Sequence, residues 1–269
     1  NTPLTFTSAN WNTPQTVTVT GVDDNLVDGT TSSTLSASVV DAISDDDFDA
    51  VANQTVTATT TDNDVAGFTI TETGGSTEVA ETGTTDTFTV VLTAQPTSNV
   101  VLTVTSSDTG EATVNTPLTF TNANWNTPQT VTVTGIDDNI IDGTISSTVT
   151  VAVDDANSDN DFDPVANQTV TATTTDNDVA GFTIAQTGGS TSVAETGTTD
   201  TFTVVLTAQP GSNVVLTVTS SDTGETTVNT PLTFTSANWN TAQTVTVTGV
   251  DDNIIDGTIS STVTVAVDD

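Results

Sequence analysis

Lysine, arginine, histidine, cysteine, methionine and tyrosine are all absent from this chain of 269 residues, while 35 positions are Asp or Glu, for a formal net charge of -35. No side chain is available to neutralise that charge, and self-repulsion on this scale works against a compact state. The chain must therefore stay expanded or take cations from solution. Without cysteine there is no disulfide framework, and bound metal is the usual substitute staple for a small extracellular module. Without His or Cys, zinc has none of its preferred ligands. An enzyme built from this alphabet keeps only carboxylate chemistry of the glycosidase kind, and no aromatic platform or apolar cleft accompanies the acids. The expectation is a protein that is not an enzyme. A polyanion without Lys or Arg is also a poor match for nucleic acid or an anionic membrane surface. No run of 18 apolar residues and no basic, small-residue leader occurs in the sequence, so membrane insertion is not expected.

High charge with modest hydrophobicity also marks disordered chains, but here Val, Ile, Leu and Phe alternate regularly with Thr, as strands require. The chain is also repetitive. NTPLTFTSANWNT at Asn1 returns as NTPLTFTNANWNT at Asn115 and as NTPLTFTSANWNT at Asn229, and residues 67–155 differ from 181–269 at only eight positions. A period of 114 residues is too long for a solenoid turn and suits a complete domain. The boundaries predict the C-terminal part of one module in residues 1–65, a complete module in 66–179 and the N-terminal part of a third in 180–269. That arrangement reads as a window on a longer array, or as a subunit completed by its neighbours.

In the complete copy, seven segments show period-2 alternation between Gly, Pro, Asn or Asp turns: 67–71, 86–94, 99–106, 112–121, 129–136, 145–153 and 168–175. Phe88, Val90, Leu92, Val100, Leu102, Val104, Val131, Val133, Val149, Val151 and Val153 are the expected inward positions. Thr fills the outer faces, keeping strand propensity without adding charge. Phe68, Phe120 and Trp125 read as core and corner packing. Seven short strands in about 110 residues predict an all-β fold of tandem Greek-key, immunoglobulin-like antiparallel sandwiches.

If each segment crosses the sandwich once, the turns after the odd-numbered segments share one pole. That brings together Glu81, Asp108, Asp137, Asp138, Asp142, Asp176 and Asp178. Calcium takes 6 to 8 oxygen ligands at roughly 2.3–2.6 Å and accepts carboxylates in flexible geometry, so Ca2+ is the expected ion. A single Asp in a turn would be unremarkable; seven converging acids with no counter-charge are not. A second acidic group, Asp159, Asp161 and Asp163, follows the sixth segment and is expected at the opposite pole, facing the preceding module.

These residues resemble the Calx-β family of calcium-binding modules. The resemblance rests on VAETGTTDTFTVVLTAQP from Val79, SSDTGEATV from Ser106, VTVTGIDDNIIDGT ending at Thr144 and TDND from Thr175, and it spans the whole repeat. It implies the same seven ligands. By the repeat period it extends to Asp23, Asp24, Asp28, Asp62 and Asp64 in the first copy and to Glu195, Asp222, Asp251, Asp252 and Asp256 in the third. One departure is that glutamates commonly follow the aspartates of the fifth turn in that family, whereas Asp142 here is followed by Gly143. The expected role is a secreted, extracellular or cell-surface fibre, stalk or matrix filament, either a homopolymer or a long covalent array, with neighbouring copies of the module as partners. A calcium-dependent glycan- or receptor-binding adhesin is the alternative.

Overall fold

In the computed structural model, which describes residues 3–255 and 257–268, the chain is all-β apart from short 3-10 turns. Residues 66–179 form a full two-sheet sandwich. Its strands are β3 (Phe68–Glu72), β4 (Thr77–Ala80), β5 (Thr85–Leu92), β6 (Val100–Ser106), β7 (Ala112–Val114), β8 (Leu118–Phe120), β9 (Gln129–Gly135), β10 (Ile145–Val153) and β11 (Gln168–Thr175); the first unit supplies β1 (Thr31–Ala37) and β2 (Gln54–Thr60). One sheet runs β3-β5-β9-β7 and the other β4-β11-β10-β6-β8. The fold class expected from the alternation pattern is the one observed, and the expected inward residues form the core. Phe88, Val90, Val100, Leu102, Val131, Val133, Val149 and Val151 are completely buried, and Val153 is half-buried at the margin. Phe162 also plugs this core from the loop between β10 and β11.

Two segments differ from the pattern. The first expected strand is followed by a second short one, β4, which leaves the sheet of β3 and pairs in parallel with β11, Ala172 opposite Thr77 and Thr175 opposite Ala80. The fourth breaks into β7, paired with β9, and β8, paired with β6. Pro117 lies in that break, where it has no ladder N–H to withhold. Each split strand thus serves both sheets.

The two flanking units contain fewer strands. In the third, β12 (Phe182–Gln186), β13 (Thr199–Leu206), β14 (Val214–Ser220), β15 (Thr226–Val228), β16 (Leu232–Phe234), β17 (Gln243–Gly249) and β18 (Val263–Val267) rebuild both sheets except for their β4 and β11 counterparts. Residues 191–194 align with β4 but form no strand, because the sequence holds no partner equivalent to β11. In the first unit β1 and β2 are the paired strands among the described residues, and Phe6, Trp11, Val19 and Val56 are exposed.

One of the differences between copies has a direct structural effect. In the third unit Thr226 Oγ1 lies 2.7 Å from both Ser220 Oγ and Ser261 Oγ. The second unit has Ala112 at that position, and the buried Ser147 Oγ, counterpart of Ser261, has no hydrogen-bond partner. Leaving a buried hydroxyl unpaired costs about 1–3 kcal/mol. Thr226→Ala is therefore expected to lower the denaturant midpoint of the third unit by an amount equivalent to about 1–2 kcal/mol, read by Trp239 fluorescence with Trp11 and Trp125 replaced by Phe. An unchanged midpoint would mean that the hydroxyl chain contributes nothing.

Candidate metal centre

The pole where β4 and β11 end is built from backbone contacts before any carboxylate is considered. The parallel pairing carries Glu81 beside the end of β11, where its N–H donates to Thr175 O at 3.1 Å. β9 ends on Gly135, and a Cβ there would lie 2.1 Å from Ala80 O, so only glycine allows the chain this close to the β4 turn. The next residue, Ile136, donates its N–H to Glu111 O at 2.9 Å. The loop after β9 then turns at Gly143, whose φ of 76° belongs to the left-handed region that glycine adopts without strain. Gly143 N–H donates to Asp176 Oδ2 at 2.9 Å.

Two carboxylate groups result, each with oxygens lying within 4.8 Å of one another: Glu81 with Asp176 and Asp178, and Glu81 with Glu111 and Asp142. Glu81 belongs to both and is 1% exposed; Glu111 is 6% exposed. Few of these oxygens are satisfied within the protein. Glu81 Oε2 accepts from Asn177 N–H at 3.2 Å, while Glu111 Oε2 and Asp178 Oδ2 are buried without a partner. A cavity of about 390 Å³ opens beside the site, lined by Glu81, Gly135, Asp137 and Asn177 among others.

Electrostatics follow the geometry. Burial, reinforced by Asp142 and Glu81, pushes the Glu111 carboxyl up to about 7. Burial also raises Glu81, with Asp176, Asp138 and Asp142 adding to it, and raises Asp178, with Asp176 adding to it. Asp176 is lowered instead, because the N–H groups of Asp178 and Gly143 donate to it. Without a cation, protonation is the remaining way to relieve the buried members.

Of the seven residues expected to converge, Glu81, Asp142, Asp176 and Asp178 fall in the two groups. Asp137 and Asp138 stand on the same loop and shape it, since Asp137 Oδ1 accepts from Asn177 Nδ2 at 3.0 Å and Asp138 Oδ1 from Ile140 N–H at 2.6 Å. Asp108 lies outside both groups; its Oδ1 closes its own turn by accepting from Gly110 N–H at 3.0 Å. Glu111, three residues on, joins the site, and Asp108 lies near enough to help raise its carboxyl. Nothing in the local pattern marked Glu111, since a glutamate just before an inward alanine reads as surface.

The partial copies lack complete sites among the described residues. In the first, Asp62 accepts from Asp28 N–H and Gly29 N–H, and its carboxyl is lowered by backbone donors, Asp64 first. Burial, then Asp62, Asp23, Asp24 and Asp28, raise Asp64. Residues corresponding to Glu81 and Glu111 are not in the sequence. In the third copy Glu195 is half-buried, Asp222 and Asp251 are exposed, Asp252 Oδ1 accepts from Ile254 N–H, and Asp256 lies outside the described residues. At the opposite pole, Asp159 is satisfied within its own unit. It is 5% exposed and accepts from Thr97 Oγ1, Ser98 N–H and Asp161 N–H. Burial pushes its carboxyl up, and these donors outweigh that and hold it below the usual range.

No family model and no curated protein matches the chain. Among solved structures it is similar to CBD12 from CALX1.2, at 14% identity and a TM-score of 0.31, over 73% of this chain and 79% of that one. It is also similar to domains 4–9 of the surface layer protein SbsC, at 20% identity and a TM-score of 0.30, over 80% and 33%. A third is the E. coli chaperone DraB, at 8% and 0.31, over 66% and 86%. These are β-sandwich proteins. No described helix is long and apolar enough to cross a membrane.

The metal-free protein should become less stable as pH rises. Glu111 has a folded value of about 7 against an ordinary value of 4.5, so between those values the folded state keeps a proton that the unfolded state has lost. Stability then falls with rising pH across that window, and the raised Glu81 and Asp178 act in the same sense. Thermal melts in chelator should move down between pH 5 and pH 8. A midpoint that climbs over that range would contradict the burial of these carboxylates.

Proposed function

We propose that this chain is a structural segment of an extracellular array of Calx-β-like units, each stiffened by calcium held at one pole, serving as a fibre, stalk or matrix filament. The observation that carries this reading is the convergence of Glu81, Glu111, Asp142, Asp176 and Asp178 with two buried carboxylate oxygens unpartnered. No cationic side chain exists on the chain to pair with them. A buried carboxylate is tolerated when paired or bound to metal. All-oxygen ligation of this kind fits calcium, whereas zinc prefers nitrogen and sulfur and magnesium demands stricter octahedral geometry. Bound there, a cation would supply positive charge between β4, the start of β7, the loop after β9 and the end of β11. Four chain segments that repel one another would become joined. No catalytic step is required of the site, and near-identical tandem units suit an array whose task is length.

Calcium at ~100 times Kd should stabilise the second unit by about 2.7 kcal/mol, with metal competing against protons for the same oxygens. Titration calorimetry should find a tight class of sites belonging to this unit alone, since only it combines the Glu81, Glu111 and Asp178 positions. Glu111→Gln and Asp178→Asn should each weaken that class by about tenfold or more, a loss of about 1.4 kcal/mol. Asp154→Asn with Asp155→Asn, at the other pole, should leave it intact. Equal binding in all variants would remove the assignment, and coincident melts with calcium and with chelator would remove calcium itself.

A further inference from the structure

The same loop that carries Asp142 to the metal centre also touches the next unit, and the contact recurs one repeat earlier in the chain. At the first junction Leu26 forms a parallel β-bridge with Gln95, Gln95 N–H donates to Asn25 O at 2.7 Å, and Val27 N–H donates to Gln95 O at 3.1 Å. Val27 packs against the core of the second unit. At the second junction, 114 residues on, Ile140 bridges Gln209 and Gln209 N–H donates to Asn139 O, again at 2.7 Å.

Both halves of this contact are prepared within their own units. On the loop side, Asp24 and Asp138 each accept from the N–H two residues later, Leu26 and Ile140, which fixes the turn carrying the Asn carbonyl. On the other side, the glutamine side chain reaches back into its own unit, Gln95 Nε2 to Asn122 O at 2.8 Å and Gln209 Nε2 to Ser236 O at 3.1 Å. In the second unit Asp159 braces the same turn through Thr97 and Ser98. The linker is strapped as well: Thr93 Oγ1 donates to Val65 O and Thr207 Oγ1 to Val179 O, at 3.0 and 2.8 Å. A Cβ on Gly67 would meet Thr93 Oγ1 at 2.9 Å, so glycine is what admits the close approach.

The third unit shows the docking edge without a turn against it. Ile254 is 65% exposed there, against 41% for its docked counterpart Ile140.

We propose that the Asn-Leu-Val and Asn-Ile-Ile edge of this loop is a docking surface whose partner is the Ala-Gln-Pro turn of the following copy of the unit. This backbone latch, and not a metal bridging the junction, sets the angle between successive units. The second and third units each carry the edge at one pole and the turn at the other, so the contact is heterologous, and repeating it extends a line without closing it. The inference does not depend on calcium occupying the pole.

The absence of cysteine allows a clean test on the whole chain. Spin labels on Thr130→Cys and Thr244→Cys, both on exposed strand positions, report the distance between the second and third units. The latch predicts a single narrow distance distribution in chelator, unchanged by added calcium. Gln209→Pro, which removes the bridging N–H, should broaden it, whereas Gln209→Ala, which keeps that N–H, should not. Amide exchange on the unsubstituted chain gives a reading that needs no variant: Gln95 and Gln209 N–H groups should exchange slowly in chelator. A narrow distribution in Gln209→Pro, a broad one in the parent, or fast exchange at both glutamines would overturn the proposal. A distribution that narrows only when calcium is added would also overturn it, while leaving calcium binding at the second unit standing.

Discussion

Charge of one sign, with nothing on the chain to oppose it, is the constraint from which the rest of this structure follows. Each local feature of the sandwich is a way of living with 35 acids and no base. Outer strand faces are threonine instead of the Lys and Glu mixture that usually keeps a sheet soluble, so the strands themselves add almost no charge. Most acids lie in turns and loops, where many are spent on backbone donors: Asp62, Asp108, Asp138, Asp159 and Asp176 each accept from nearby N–H groups. Main-chain N–H groups, with a few Thr and Asn side chains, are the donors the sequence offers these acids, and they are used locally. At the pole of the second unit that supply runs short, because Glu81 and Glu111 are buried among other acids and the N–H groups present go mostly to Asp176. That shortfall is where the proposed calcium would bind.

Much of this could be read from residues alone, for reasons that differ between elements. Alternation of Val with Thr marked the long strands because each has one buried face, which is the condition under which period 2 carries information. Strand parity then placed Glu81, Asp142, Asp176 and Asp178 at one pole without any knowledge of distances. What escaped was set by contacts that leave no periodic trace. β4 is four residues long and exists through a parallel pairing with β11, nearly a hundred residues away; its counterpart in the third unit has nearly the same sequence and no such partner, and forms no strand. Local sequence was therefore never its cause.

Glu111 and Asp108 illustrate a different limit. Both lie near the start of the same strand, and turn chemistry favours Asp108 as the conspicuous residue. Yet it stands outside both carboxylate groups, with Oδ1 accepting from Gly110 N–H. A glutamate is ordinarily among the last residues to be fully buried, so an acid at the first position before an inward alanine reads as surface. Its burial makes sense only once Glu81 and Asp142 are known to stand opposite it. Asp159 is the converse, an acid that looked available and is saturated by hydroxyl and amide donors.

The same charge argument bears on how units meet. Lateral approach of two such surfaces sets threonine faces and acidic turns of like sign against each other, and no salt bridge can offset the repulsion. At about 0.15 M ionic strength screening acts over roughly 8 Å, which softens long-range repulsion but does not remove it at contact. A junction made by main-chain groups avoids the problem, since Gln95 and Gln209 bring neutral N–H donors to neutral Asn carbonyls while the neighbouring Asp side chains are turned inward to shape the loop. Such a contact is directional and sits at the poles, so it aligns units along the chain and leaves the sheet faces unpartnered. Axial order with lateral repulsion is the mechanical condition for the slender array proposed above, and its lateral half traces to the omission of lysine and arginine.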